Sequence, residues 1–187
     1  MNVPRTLVAL LSLVVLLGAC GGRSPAQLAQ DELDAGLAAA RSGDRPTAVA
    51  HYEKCLQYES NNKYCLYNLG VHAGLDGRVD EAETYYRNAI AVDPNFPQPI
   101  FNLAIVARDR GDLQEASDLF HRYVSLVPND AAGHYNLGLV LRSMGQNVEA
   151  DTELAEALRL NPSLPVPSPS STASPAPTAA PTPAPSS

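Results

Sequence analysis

Apolar positions along this chain recur with a helical spacing, and the whole pattern repeats every 34 residues. From Lys63 to Phe96 its marks are Tyr67-Asn68-Leu69-Gly70, Gly77, Glu81-Ala82, Tyr85-Tyr86, Ala89 and Asp93-Pro94. They return as Phe101-Asn102-Leu103-Ala104, Gly111, Glu115-Ala116, Phe120 and Pro128. They return again as Tyr135-Asn136-Leu137-Gly138, Gly145, Glu149-Ala150, Leu154, Ala157 and Asn161-Pro162. A worn copy precedes them in Ala35-Gly36, Gly43, Ala48, Tyr52 and Cys55.

Each copy predicts a helix A, a tight turn, a helix B and a second turn. The first turn needs a residue tolerant of positive φ, hence Gly43, Gly77, Gly111 and Gly145. Asp44 and Asp112 follow as N-caps for helix B. Gly36, Gly70, Ala104 and Gly138 let the two helices of a unit approach, facing Ala48, Ala82, Ala116 and Ala150. Tyr52, Tyr86, Phe120 and Leu154 are expected to fill the gap to the neighbouring unit, and Pro94, Pro128 and Pro162 to stop helix B.

The period and these residues resemble the tetratricopeptide repeat, a helix-turn-helix unit that stacks into a superhelix. The resemblance implies an all-α fold, an α-solenoid of four units at 29–62 (divergent), 63–96, 97–130 and 131–164. In such stacks helix A lines the concave surface. A protein-binding groove is therefore expected along Leu33 and Leu37, Tyr67 and Val71, Phe101 and Ile105, and Tyr135 and Leu139, rimmed by Arg108 and Arg142. Packing between adjacent A helices is the other reading of the same residues. The cationic clamp that some family members use for C-terminal carboxylates is not evident, because Tyr67, Phe101 and Tyr135 stand where Lys would be expected.

The two ends read differently. Met1 to Arg5 is a short basic start, and Leu7 to Leu17 is apolar except for Ser12, the length of a secretory h-region rather than of a membrane-spanning helix. It ends in Leu17-Gly18-Ala19-Cys20, which resembles a bacterial lipobox. That resemblance implies a signal peptide at 1–19, cleavage between Ala19 and Cys20, lipid on Cys20, and a short linker at 20–28. Two or more acyl chains anchor stably where one is reversible. Gly21 after the Cys fits export to an outer membrane, with the repeats facing the periplasm close to its surface. At the other end, 165–187 is rich in Pro, Ser, Ala and Thr, without charge or aromatic residue, and is expected to be disordered. Tether, wall-threading arm and dispensable end all fit it. With no helix after Leu160, the last helix B is expected to lack a cover, through tolerance, self-association or partner docking.

Composition removes function classes rather than adding them. The formal charge is −7 and no Lys/Arg cluster occurs, so no nucleic-acid partner is expected. His51, His72, His121 and His134 fall in no metal-binding or catalytic motif, so neither enzyme activity nor a metal or other cofactor is expected. Cys55 and Cys65 flank the Ser60-Asn61-Asn62 turn; they either close a disulfide, which is permitted outside the cytoplasm, or are two small core residues.

The expected role is a membrane-anchored adaptor for a protein or peptide client in the envelope. One version resembles the pilotin-type lipoproteins of type IV pilus systems, which carry more repeats than the four here. A second resembles adaptor lipoproteins that dock peptidoglycan hydrolases, and a third is a passive scaffold that self-associates through the last helix.

Overall fold

The computed structural model describes residues 22–165, so Ala19, Cys20, the leader and most of the Pro-rich tail lie outside the described residues. Eight helices follow one another: α1 Pro25–Arg41, α2 Arg45–Tyr58, α3 Lys63–Leu75, α4 Val79–Val92, α5 Pro97–Arg110, α6 Leu113–Leu126, α7 Ala131–Ser143 and α8 Asn147–Leu160. They form four antiparallel hairpins, each packed on the next in sequence, with no strand among the described residues. Helix α1 opens at Pro25, inside the segment read as linker, because Ser24 and Gln27 form a capping box there.

The turns follow from single residues. Gly43, Gly77, Gly111 and Gly145 have φ between 75° and 86°, and among the described residues only glycines have positive φ. Asn62 and Asp130 cap α3 and α7 by accepting backbone N–H bonds. Asp44 caps α2 by accepting from the Thr47 N–H at 3.2 Å. Asp112, expected to do the same for α6, stands at the N-cap without a side-chain cap bond.

Inside each hairpin a small residue on helix A meets a large one on helix B. A Cβ placed on Gly70 would lie 2.6 Å from Tyr86, and one on Gly36 would lie 2.5 Å from Tyr52. At Gly138 it would lie 2.7 Å from Leu154. These large side chains therefore sit on their own unit's helix A, correcting the expectation that they mainly fill the gap between units. They still reach across: the Tyr52 ring lies 5.8 Å from His72, and the Tyr86 hydroxyl accepts from Asn102 Nδ2 at 3.4 Å. Gly74, one turn along from Gly70, has its nearest neighbours at 3.8 Å, including Ala82 Cβ.

Between units the joints differ. A disulfide joins Cys55 of α2 to Cys65 of α3, both wholly buried. Arg45 of the first unit pairs with Asp76 of the second, while Lys63 and Asp93 pair at 2.7 Å within the second unit. Arg87 reaches Glu115 at 2.7 Å, and Arg110 bridges Asp80 and Glu83. At the far end Leu164 folds back onto the cluster of Tyr135, Leu139, Leu154 and Ala157. The last helix thus has a partial cover supplied by the chain itself.

One slot within the hairpins changes character along the chain. The two inner units have apolar side chains there, Leu66 and Tyr85 in the second and Ile100 and Leu119 in the third. The two outer units fill the equivalent places with His–Glu pairs in opposite order, Glu32 with His51 at 2.7 Å and His134 with Glu153 at 2.6 Å. His134 Nε2 also lies 3.0 Å from the Pro128 carbonyl oxygen. Both ring nitrogens then face acceptors, which the doubly protonated imidazolium satisfies. Burial alone would push the His134 pKa down, but the bonds to Glu153 and the Pro128 carbonyl, with the charges of Glu153 and Glu156, outweigh it and raise it.

Gly70→Ala is expected to destabilise the protein by about 1–3 kcal/mol, because Tyr86 must move, whereas Gly74→Ala should stabilise it by about 0.5–1 kcal/mol through helix propensity. Urea denaturation midpoints check both. A raised folded-state pKa means that the His134 pair contributes most below the unfolded value of about 6.5 and fades as pH rises through the folded value. His134→Gln should therefore cost most stability near pH 5.5 and progressively less towards about pH 8.5. A wild-type-minus-variant difference that stays flat over that window contradicts the assignment.

Candidate functional site

The expected groove residues are placed mostly inside the protein. Leu33, Leu37, Tyr67, Phe101, Tyr135 and Leu139 are all buried, and Val71 is at the edge of burial. Two of the aromatic members are closed over by other rings. Tyr67 stacks edge-on against Phe96 at 5.4 Å and also meets Tyr86 at 6.2 Å. Phe101 lies 4.9 Å from Tyr123 and 5.7 Å from Phe120. The expected open track is thus a filled seam, and packing is the role that the structure assigns to these side chains.

The two arginines expected at the rim are engaged as well. Arg108 donates from Nη1 to Asn136 Oδ1 at 2.6 Å, tying the third unit to the fourth, and also pairs with Asp109. Arg142 pairs with Asp151 at 2.6 Å. Asn136 completes its own bonding by donating from Nδ2 to the Ala132 carbonyl, as Asn68 does to that of Tyr64.

Beside the seam lies an open apolar cleft of about 510 Å³ between the second and third units. Its walls come from the last turns of α3 (Val71, Gly74, Leu75), the start of α4 (Val79, Ala82) and the outer face of α5 (Ile105, Val106). Only Val71 and Ile105 among these belonged to the expected groove. Leu75 and Val79 are 54% and 41% exposed, large apolar side chains held in water on either side of the Gly77 turn.

The signal for them was in the sequence. Where the second unit has Leu75, the other units have Arg41, Asp109 and Ser143. Where it has Val79, the first and last units have Arg45 and Asn147. An apolar residue in a column that is otherwise polar marks a unit-specific surface rather than a shared packing need.

The cleft has a polar end. Tyr86 forms part of its floor, with burial pushing its phenol up to about 12. Asp80, Asp109 and Arg110 stand at the mouth, Arg110 being held by Asp80 and Glu83. Although burial opposes its ionisation, bonds and charges from Arg87 and Arg110 hold the Glu83 carboxyl below the usual carboxylate range. Asp80, paired with Arg110, and Asp109, paired with Arg108, leave a rim of mixed charge. Such a surface suits an apolar side chain or short helix turn flanked by polar groups. It holds no pairing of a nucleophile with a base.

Profiles of the tetratricopeptide repeat match residues 33–98, 75–135 and 131–164, which together run without a gap from 33 to 164. No match emerges among curated proteins. Among solved structures, a crystal structure of MamA is similar at 19% identity and a TM-score of 0.65, over 72% of this chain and 78% of that one. The 41-to-end portion of MamA from Desulfovibrio magneticus RS-1 is similar at 21% identity and a TM-score of 0.65, over 72% and 76%. The pilF protein of Pseudomonas aeruginosa is similar at 23% identity and a TM-score of 0.63, over 72% of this chain and 62% of that one. At these identities the likeness is one of fold.

Seam and cleft separate cleanly under mutation. Phe101→Ala is expected to cost about 3–5 kcal/mol as a buried aromatic truncation, while Leu75→Ser should change stability by no more than about 0.5 kcal/mol. Chemical denaturation of the two variants beside wild type checks this, and a large loss for Leu75→Ser would show that the cleft wall is core.

Proposed function

This chain belongs to the tetratricopeptide-repeat family, and from that premise we propose that it is a protein-protein interaction scaffold whose client docks in the cleft between its second and third units. The observation that carries this reading is the exposure of Leu75 and Val79 beside an apolar hollow large enough for one or two side chains of a partner. A stack of packed hairpins has no chemistry of its own to offer there. It presents a shaped surface.

The finer reading comes from the ends of the sequence. Leu17-Gly18-Ala19-Cys20 supports a signal peptide removed before Cys20, lipid on that Cys, and attachment to a bacterial envelope membrane, with the outer membrane and a periplasmic orientation favoured by Gly21. Within that setting the leading role is pilotin-like help in placing an outer-membrane complex of a type IV pilus system. The fold shared with pilF from Pseudomonas aeruginosa is compatible with it. Docking of peptidoglycan-remodelling enzymes is the alternative, and the same cleft would serve either client.

The test is a photo-crosslinking amino acid placed at Leu75 in the full-length protein in its own cells, with a second placed at Val148, which is 86% exposed in the last unit. One dominant client is expected at Leu75 and none in common at Val148. A Leu75→Asp, Val106→Asp double variant should lower that client's affinity at least about 10-fold, or roughly 1.4 kcal/mol, with helicity retained. Identical products at both positions, or products from neither, would remove the cleft as the binding site. The client's identity then separates pilus assembly from wall remodelling.

A further inference from the structure

The hairpins give the solenoid two unlike edges. Because Gly70 faces Tyr86 and Gly74 faces Ala82, the helices run antiparallel, so every Gly turn lies on one edge and every turn between units lies on the other. The cleft, bounded by Leu75, Val79 and Asp109, opens at the Gly-turn edge. The start of α1 lies on the opposite edge, one helix length away, or roughly 20 Å for 13 residues.

That second edge carries a row of apolar helix ends. Tyr58, Val92 and Leu126 are each the last residue of a helix B, and each is at least 36% exposed. The acidic groups around them are neutralised or used: Asp31 pairs with Arg23, Asp93 with Lys63, and Asp130 caps α7 while accepting from the Tyr123 hydroxyl at 2.7 Å. The Gly-turn edge carries charge of both signs, with Asp44 capping α2, Asp80 paired with Arg110 and Asp109 with Arg108.

The tether decides between the edges. Cys20 precedes the α1 N-cap Ser24 by four residues, a reach of at most about 14 Å at roughly 3.5 Å per residue. Lipid on Cys20 therefore holds the edge that begins at Pro25 within about 14 Å of the bilayer, nearer than the other edge in an upright stack. Tyr58 ends α2 on the same edge, and an amphipathic ring of this kind is at home at a lipid-water interface.

We infer that the anchored protein rests the edge formed by its inter-unit turns, led by Tyr58, on the surface of the membrane that holds it, so that the cleft opens on the far side. This rests on the reading of Cys20 as the lipid attachment site. The occupant of the edge is a lipid surface, and the protein client meets the cleft without competition from it.

The chain contains no Trp, so single Trp reporters are unambiguous. Full-length lipidated protein carrying Tyr58→Trp, Leu126→Trp or Leu75→Trp is placed in vesicles of phosphatidylethanolamine and phosphatidylglycerol, with and without brominated acyl chains. A residue about 5–10 Å into the interfacial region is within reach of the bromines, so the emission of Tyr58→Trp should fall about two-fold. Leu75→Trp should be unaffected, and Leu126→Trp serves as a second reporter on the row should Tyr58→Trp fail to fold. Flotation of the same vesicles reads the anchor independently. Protein that does not float overturns the lipid attachment, and the orientation with it. Protein that floats, but shows equal quenching or none on the two edges, overturns the orientation alone.

Discussion

The contact on which this molecule depends is the one between a small residue on helix A and a large one on helix B. A glycine within a helix costs about 0.5–1 kcal/mol relative to alanine. Burying an aromatic ring removes about 150–250 Å² from water, which at about 25 cal/mol per Å² is an upper bound of roughly 4–6 kcal/mol. The exchange favours Gly36 under Tyr52 and Gly70 under Tyr86, because a methyl at either glycine would displace the ring. Phe120, which lies in one core cluster with Ala104, shows that the third unit tolerates one more carbon at this column. Each hairpin is closed in this way, and its remaining apolar face is covered by its neighbour.

The joints between units draw on weaker and more varied devices. The Cys55–Cys65 disulfide closes a short loop between the first and second units and contributes about 2–3 kcal/mol on a chain-entropy basis. The second and third units are joined by charge bridges of Arg87 and Arg110, which lie in partly exposed positions where each is worth about 0–1 kcal/mol. Aromatic contacts reinforce that joint, since Phe96 enters from the turn before α5 and covers Tyr67. The cleft falls at this same joint, where two units meet through side chains rather than through a covalent link. An apolar surface is retained there because neither unit supplies a residue to fill it.

The repeat was legible because its marks are dictated by local geometry. A positive φ can be read from a glycine, a helix stop from a proline, and a close approach from a small residue facing a large one. The binding surface was legible only in part, for a definite reason. Column periodicity says which residues share a face of helix A, and it led to Tyr67, Phe101 and Tyr135; it does not say what covers that face. The cover comes from Phe96, which lies outside the columns, and from Tyr123, a large ring where its own column otherwise has Cys55, Ala89 and Ala157. The exposed residues were visible in the same kind of signal, as departures from the columns. Leu75 is apolar where its equivalents are Arg41, Asp109 and Ser143. In a repeat protein, what the units share describes the common packing, and what one unit alone carries describes its particular cover and surface.

The same logic explains the slot that is apolar in the middle and charged at the ends. Leu66 and Tyr85 lie in a core cluster that also holds Leu103 and Leu119 of the next unit, and Ile100 is wholly buried, so carbon is favoured there. The first and last units have a neighbour on one side only, and their slots stay within reach of water, with the Glu32 side chain 14% exposed and His134 12%. A half-buried carboxylate needs partners, and Glu32 has two, Lys54 and His51, whose bonds, Lys54 first, hold it below the usual carboxylate range. In the last unit the polarity is reversed, and His134 gains the Pro128 carbonyl as a second acceptor from the turn before its helix. The reversal costs little, because the slot requires only one cation and one anion, on whichever helix. The polar pairs thus stand where a slot has a neighbouring unit on one side only, and at the last of them Leu164 adds a partial apolar cover over the same hairpin.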